Sequence, residues 1–236
     1  MPAAVIFDLD GVLLDSEQRW NEAKHQLVRD VGGRWRRDAP VVMMGMSSPE
    51  WSAYMRDELE VPLAADAISR DVVRRMRDGY RVELPLLPGA EDAVRALAAR
   101  WPLGLASSSN REIIDLVLEL APFGDAFAVT VASEEVARGK PAPDVYIEAA
   151  RRLGAEPARC VAIEDSANGL RAAAAAGMAV IALPNPHYPP SDDALALAAA
   201  TVRTVGEVTP ALVVQAGAIP TAASGVATRK LNDSSR

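Results

Sequence analysis

Hydrophobic residues in this chain follow two patterns. The first is short, unbroken apolar runs: Ala4-Val5-Ile6-Phe7, Leu103-Gly104-Leu105-Ala106, a segment near 127–131, Cys160-Val161-Ala162-Ile163, and 178–183. Runs of this length between polar segments read as strands buried on both faces, as in a parallel sheet. A weaker run lies near 201–205. The second pattern is helical. Trp20, Ala23, Leu27, Val28 and Val31 recur on one face, with Ser16 as candidate N-cap and Gly32-Gly33 as the stop. Two more helices are expected at 48–59 and 66–80, separated by Val61-Pro62. No strand pattern occurs from 16 to 84, so the first strand is followed by a helical insertion. Pro85 and Pro88-Gly89 mark its exit. Helical patterns then fall at 91–100, 111–120, from Pro143 to about Leu153, at 167–176 before Gly177, and near 207–214. This alternation predicts an α/β fold, a mostly parallel sheet with helices on both faces. The expected organisation is a core of 1–15 and 85–214, a helical domain of 16–84, and a disordered Ala/Gly/Ser/Thr tail over 215–236.

Composition narrows the picture only a little. Of 236 residues, 50% are hydrophobic and 24% charged, ordinary for a soluble globular protein. The single cysteine, Cys160, excludes an intrachain disulfide and reads as a small buried hydrophobe. No signal peptide and no membrane-length apolar run is evident, so the expected compartment is the cytoplasm. The net charge of −7 argues against nucleic acid as a partner. Residues 16–84 carry twelve basic and twelve acidic side chains, so the remainder holds the whole excess. An anionic ligand there needs a metal ion or a placed cation.

The chemistry lies where strands end. Asp8 and Asp10 follow the first strand, point the same way, and lie about 7 Å apart in an extended chain. Gly11 allows a sharp turn directly after them. Two carboxylates at the end of a buried strand are costly without a cation between them. Ser107 ends the second strand, Lys140 follows the third, and Glu164-Asp165 follow the fourth. In open α/β sheets ligands bind outside these carboxyl ends. Each group also has a plainer reading: serines make turns, Asp165 or Ser166 could cap the next helix, and Lys140 could be a solvated lysine. Lysine is scarce, however. Only Lys24, Lys140 and Lys230 occur against 22 arginines, so Gly139-Lys140-Pro141 points to a compact ammonium at that place. Phosphoryl transfer through an aspartyl-phosphate fits the set: a carboxylate nucleophile, an oxygen-ligated Mg²⁺, a hydroxyl and an ammonium on the phosphoryl oxygens, and a second carboxylate as acid and base.

Four segments carry a resemblance. Asp8-Leu9-Asp10-Gly11-Val12, Ser107-Ser108-Ser109-Asn110, Gly139-Lys140-Pro141 and Glu164-Asp165-Ser166-Ala167-Asn168-Gly169 resemble, in order and spacing, the four motifs of the haloacid dehalogenase (HAD) superfamily. The likeness covers roughly 3–213. Its subgroup has a helical cap after the first motif and includes β-phosphoglucomutases and small sugar-phosphate phosphatases. The resemblance implies a Rossmann-like core with an inserted cap over 16–84. It implies Asp8 as nucleophile and Mg²⁺ ligand, and Asp10 as acid/base with its main-chain carbonyl on the metal. It implies Ser107 and the Ser108 N–H on the phosphoryl group, Lys140 bridging phosphate and nucleophile, and Glu164 with Asp165 completing the metal site.

Mutases of the subgroup usually carry a histidine early in the first cap helix and an arginine after a cap glycine. Here the first helix reads Ser16-Glu17-Gln18-Arg19-Trp20-Asn21, and the loop reads Met44-Gly45-Met46-Ser47-Ser48. The expected activity is therefore hydrolysis of a small phosphorylated metabolite such as a sugar phosphate. A phosphosugar mutase is the alternative, and a non-catalytic phosphate-ligand-binding protein the third reading. A monomer or weak homodimer without membrane association is expected.

Overall fold

The computed structural model describes residues 1–44, 46–186 and 188–219. One sheet contains β1 (Ala4–Phe7), β2 (Leu103–Ser107), β3 (Phe127–Ala132), β4 (Cys160–Glu164), β5 (Ala179–Ala182) and β6 (Ala200–Thr201). The spatial order is β3-β2-β1-β4-β5-β6, and every neighbouring pair is parallel. β1 is thus central, with Ile6 beside Gly104 on one flank and Ala162 on the other. All four residues of β1 are fully buried, as an unbroken apolar run demands.

Between β1 and β2 the chain forms α1 (Glu17–Val31), α2 (Ala39–Met43), α3 (Ser48–Asp57), α4 (Ala65–Val82) and α5 (Ala90–Ala98). The rest are α6 (Arg111–Leu120), α7 (Asp144–Arg152), α8 (Ala167–Ala175), α9 (Asp192–Leu195) and α10 (Pro210–Ala216). Side chains alternate across β1. Val5 and Phe7 join an apolar cluster with Val94 of α5, Val117 of α6 and Val213 of α10, which continues into Leu27, Met55 and Val72 of the inserted helices. Ala4 and Ile6 join Tyr146 and Ala149 of α7 and Leu170 of α8 on the opposite face. Both faces of the sheet are therefore covered, as expected. Among the described residues no helix is long and apolar enough to cross a membrane.

Local signals account for several boundaries. Gly32 stops α1 in the left-handed conformation, φ 79°. Ser47 and Glu50 form a capping box on α3, with the Ser47 N–H donating to Glu50 Oε2 at 2.7 Å. Ser166 caps α8, accepting from the Gly169 N–H at 3.1 Å. Pro143 sits one residue before α7. Cys160 is buried, and burial pushes its thiol up to about 11.

Four expectations change. Helix α2 was not expected; Ala39 and Met43, four residues apart, are buried on one face while Val41 and Val42 are exposed. β6 has two residues, and Val205–Glu207 is a 3₁₀ turn rather than strand. α10 runs later than expected and includes Gln215 and Ala216. Ala216 is fully buried in the core, so order extends past the expected start of the tail. The remainder of that expectation, from 220 onward, lies outside the described residues. Finally, the Ser16 hydroxyl does not cap α1 but donates to Asp10 Oδ1 at 2.5 Å.

Candidate active site

Because β1 lies between β2 and β4, the groups after these strands converge on the point where the strand order reverses. Asp8 follows β1 directly, and its N–H donates to Ile163 O at 3.0 Å, so the ladder with β4 continues to that residue. Gly11, at φ +77°, turns the chain back, with its N–H on Leu14 O at 2.8 Å. Lys140 arrives from the segment between β3 and α7 and is 4% exposed. Its ammonium donates to Asp8 Oδ1 at 2.7 Å, Glu164 Oε1 at 2.6 Å and Ala106 O at 3.0 Å. Three protons thus meet three acceptors, which answers the expectation of a compact ammonium.

Glu164, at the end of β4, is fully buried and fully engaged. Oε1 also accepts from the Tyr146 hydroxyl at 2.8 Å. Oε2 accepts from the N–H groups of Asp165 (3.0 Å) and Ser166 (3.2 Å) and from the Ser166 hydroxyl (3.2 Å). Burial pushes the Asp8 carboxyl up to about 8; Lys140 opposes this, while Glu164 and Asp10 add to it. Burial likewise drives Asp165 well above the carboxylate range, reinforced by Glu164 and Asp8. For Lys140, burial works against the charged form, but Asp8 and Glu164 overcome it and raise its pKa.

Asp8, Glu164 and Asp165 each bring a carboxylate oxygen within 4.8 Å of the others, so these three could hold a metal ion. They face a single ammonium. A divalent cation among them would favour the charged forms of Asp8 and Asp165, and an all-oxygen donor set suits a hard ion. Two glycines make room for the cluster. A methyl group on Gly11 would collide with the Asp165 carboxylate, and one on Gly169 with that of Glu164. Gly169→Ala is therefore expected to displace Glu164. Any activity that depends on a divalent cation should then need about tenfold more metal for half-maximal rate. A metal titration of the variant checks this, and an unchanged midpoint would contradict it.

The Asp10 carboxylate lies outside that metal-holding trio. Oδ1 accepts from the Ser16 hydroxyl and from Trp20 Nε1 at 3.0 Å, and Oδ2 from the Ser109 hydroxyl at 2.6 Å. Two of these donors belong to the start of the inserted helices and one to the loop after β2. Sequence reasoning missed Ser109 and Tyr146, and placed Trp20 only on the recurring apolar face of the first inserted helix. The serine run and the indole on the face of α1 were visible, but their target was not. Ser107 is fully buried, and its hydroxyl accepts from the Ser109 N–H at 3.0 Å. It does not line the cleft above, whereas Ser108 and Ser109 do.

That cleft is open to solvent, and the cavity within it measures about 50 Å³. Asp8, Asp10, Lys140 and Asp165 form its polar side, and Glu17, Trp20, Lys24, Met43, Met46 and Trp51 close it from the inserted helices.

The chain is similar to known proteins. Residues 2–177 match the family described as haloacid dehalogenase-like hydrolase. The chain is 35% identical over 195 residues to hexitol phosphatase B of Escherichia coli (strain K12), spanning 78% of this chain and 84% of that protein. It is 32% identical over 178 residues to the fructose-1-phosphate phosphatase YqaB of the same organism, spanning 75% and 93%. Among solved structures, CbbY from Rhodobacter sphaeroides in complex with phosphate superposes with a TM-score of 0.79 at 28% identity, over 90% of this chain and 99% of that one. With a family match over most of its length and relatives above 30% identity, the chain belongs to the haloacid dehalogenase-like hydrolases.

Proposed function

We propose that the protein is a Mg²⁺-dependent phosphatase of small sugar or polyol monophosphates, working through an aspartyl-phosphate. The observation that carries this is the pairing of two differently held carboxylates under one cleft. Asp8 is buried and fixed by Lys140 at 2.7 Å, while Asp10 is held by three neutral donors. The named activities of hexitol phosphatase B and the fructose-1-phosphate phosphatase support the substrate class.

In this reading a carboxylate oxygen of Asp8 attacks phosphorus. The bond to the leaving alkoxide breaks, and Asp10 supplies the proton that the alkoxide takes. Water then attacks the phosphoryl group, Asp10 takes back a proton, and Asp8 is released with inorganic phosphate. Lys140 holds Asp8 in line and stabilises charge on the phosphoryl oxygens, joined by the Ser108 N–H at the cleft wall, while Ser107 beneath it braces this loop by accepting from the Ser109 N–H. Mg²⁺, held by Asp8, Asp165, Glu164 and the Asp10 main-chain carbonyl, would supply charge neutralisation for the phosphoryl group. The helices of 16–84 act as a cap that excludes water from the first transfer, and 1–15 with 85–214 form the catalytic core.

The test is phosphate release from fructose 1-phosphate, a hexitol phosphate and phenyl phosphate, with Mg²⁺ and with chelator. Release that requires Mg²⁺ is expected. No release from folded, Mg²⁺-loaded protein would overturn the proposal. Conversion of β-glucose 1-phosphate to glucose 6-phosphate in the presence of a bisphosphate primer would make the protein a mutase instead.

A further inference from the structure

Lys24 is the one lysine of the inserted helices, and it is 5% exposed. Unlike Lys140, its ammonium meets no hydrogen-bond acceptor and no ion-pair partner among the described residues. It lies instead over the ring of Trp20, 5.5 Å from the centroid, and over that of Trp51 at 5.1 Å. Helical spacing puts Glu17, Trp20 and Lys24 on one face of α1, and all three line the same cleft as Asp8 and Asp10. Burial pushes the Lys24 ammonium down to about 8, against the opposing charges of Glu17 and Asp10. Burial raises Glu17 in turn, Lys24 opposing and Asp10 adding. A buried cation with no hydrogen-bond acceptor is costly, and a ligand that supplies one relieves that cost.

We propose that Lys24 and Glu17 form a specificity subsite that reads the hydroxyl groups of the substrate's leaving group, Lys24 as donor and Glu17 as acceptor. This rests on the phosphatase reading above. The chemistry of the walls selects the ligand. Trp20, Trp51, Met43 and Met46 offer flat and apolar surface for the C–H face of a polyol. Between them stand one donor of three protons and one carboxylate, the complement of neighbouring hydroxyls. A second phosphate is disfavoured, because Glu17 and Asp10 together outweigh the single positive charge of Lys24. The subsite thus favours a monophosphate with a hydroxylated tail over a bisphosphate or an acidic monoester.

The experiment compares Lys24→Met and Glu17→Gln with wild type in the full chain with Mg²⁺. It reads kcat/KM for a hexitol phosphate, phenyl phosphate and phosphoglycolate. The ratio of hexitol phosphate to phenyl phosphate should fall about tenfold or more in Lys24→Met, with most of the change in KM, and should fall also in Glu17→Gln. Glu17→Gln keeps the size of the side chain, so it reports even if Lys24→Met unsettles the fold. Equal losses on both substrates, leaving the ratio unchanged, would assign Lys24 to packing and overturn the proposal. Selective loss of phosphoglycolate would overturn it too, in favour of a carboxylate subsite. If wild type hydrolyses none of the three, the phosphatase reading fails on its own. The same ratio is then read as dissociation constants by calorimetry, where an unchanged ratio again overturns the subsite.

Discussion

Asp8→Asn is expected to reduce phosphate release by about 10⁴-fold or more while leaving the fold intact, a loss of the size seen when a nucleophile is removed from an enzyme site. The amide has nearly the shape of the carboxylate but cannot attack phosphorus. Its oxygen can still accept from Lys140, whose other acceptors, Glu164 Oε1 and Ala106 O, are untouched. The substitution also removes one of the three buried carboxylates that crowd within 4.8 Å. With chelator present, the melting temperature should therefore hold or rise relative to wild type, because repulsion with Glu164 and Asp165 is relieved. Added Mg²⁺ should raise the melting temperature of wild type clearly more than that of the variant, since binding to the folded state stabilises it by mass action. Phosphate release and thermal melts with and without Mg²⁺ check both parts. Turnover surviving in Asp8→Asn would move the nucleophile elsewhere.

Lys140→Met carries the largest expected loss of stability, about 3–5 kcal/mol, because it removes the one cation among buried acids. Asp8 and Glu164 would lose bonds of 2.7 and 2.6 Å with no water to replace them, as neither is appreciably exposed. Activity should fall too, by roughly 10²–10³-fold, as for loss of a donor aimed at developing charge. Urea unfolding in chelator measures the first effect and phosphate release the second. The double variant Lys140→Met/Glu164→Gln should regain part of the stability but not the activity, since the neutral amide removes a buried charge without restoring the ammonium. A shift below about 1 kcal/mol in the single variant would show that Lys140 contributes little to holding these acids in the folded protein. Arginine is not an equivalent replacement here. Three acceptors surround one nitrogen, and a planar guanidinium cannot satisfy them from that point.

Much of this was legible in the chain itself. Unbroken apolar runs located β1, β2 and β4, since a strand buried on both faces has no polar side to show. Helix α6 fell at its expected residues, and α1 ended at Gly32 as its sequence signals. Helix α2 was not legible: five residues are less than two turns, too few to show a period, and it forms because Ala39 and Met43 find apolar partners. Ser16 shows the same limit. Local chemistry makes it an N-cap, yet a carboxylate six residues earlier in the chain offers its hydroxyl a stronger, charge-assisted bond.

The sequence by itself determined which groups stand at the strand ends, Asp8, Asp10, Ser107, Glu164 and Asp165, because strand length and apolar pattern are local properties. Only the tertiary structure decided how they are used. The central place of β1 brings Lys140 to Asp8 across 132 positions of the chain, and puts Ser109 on Asp10 across 99. Folding of the inserted helices turns Trp20 and Lys24 toward the same cleft. Contacts between residues so far apart in the chain follow from strand order and helix docking, and no pattern along the sequence encodes them one pair at a time.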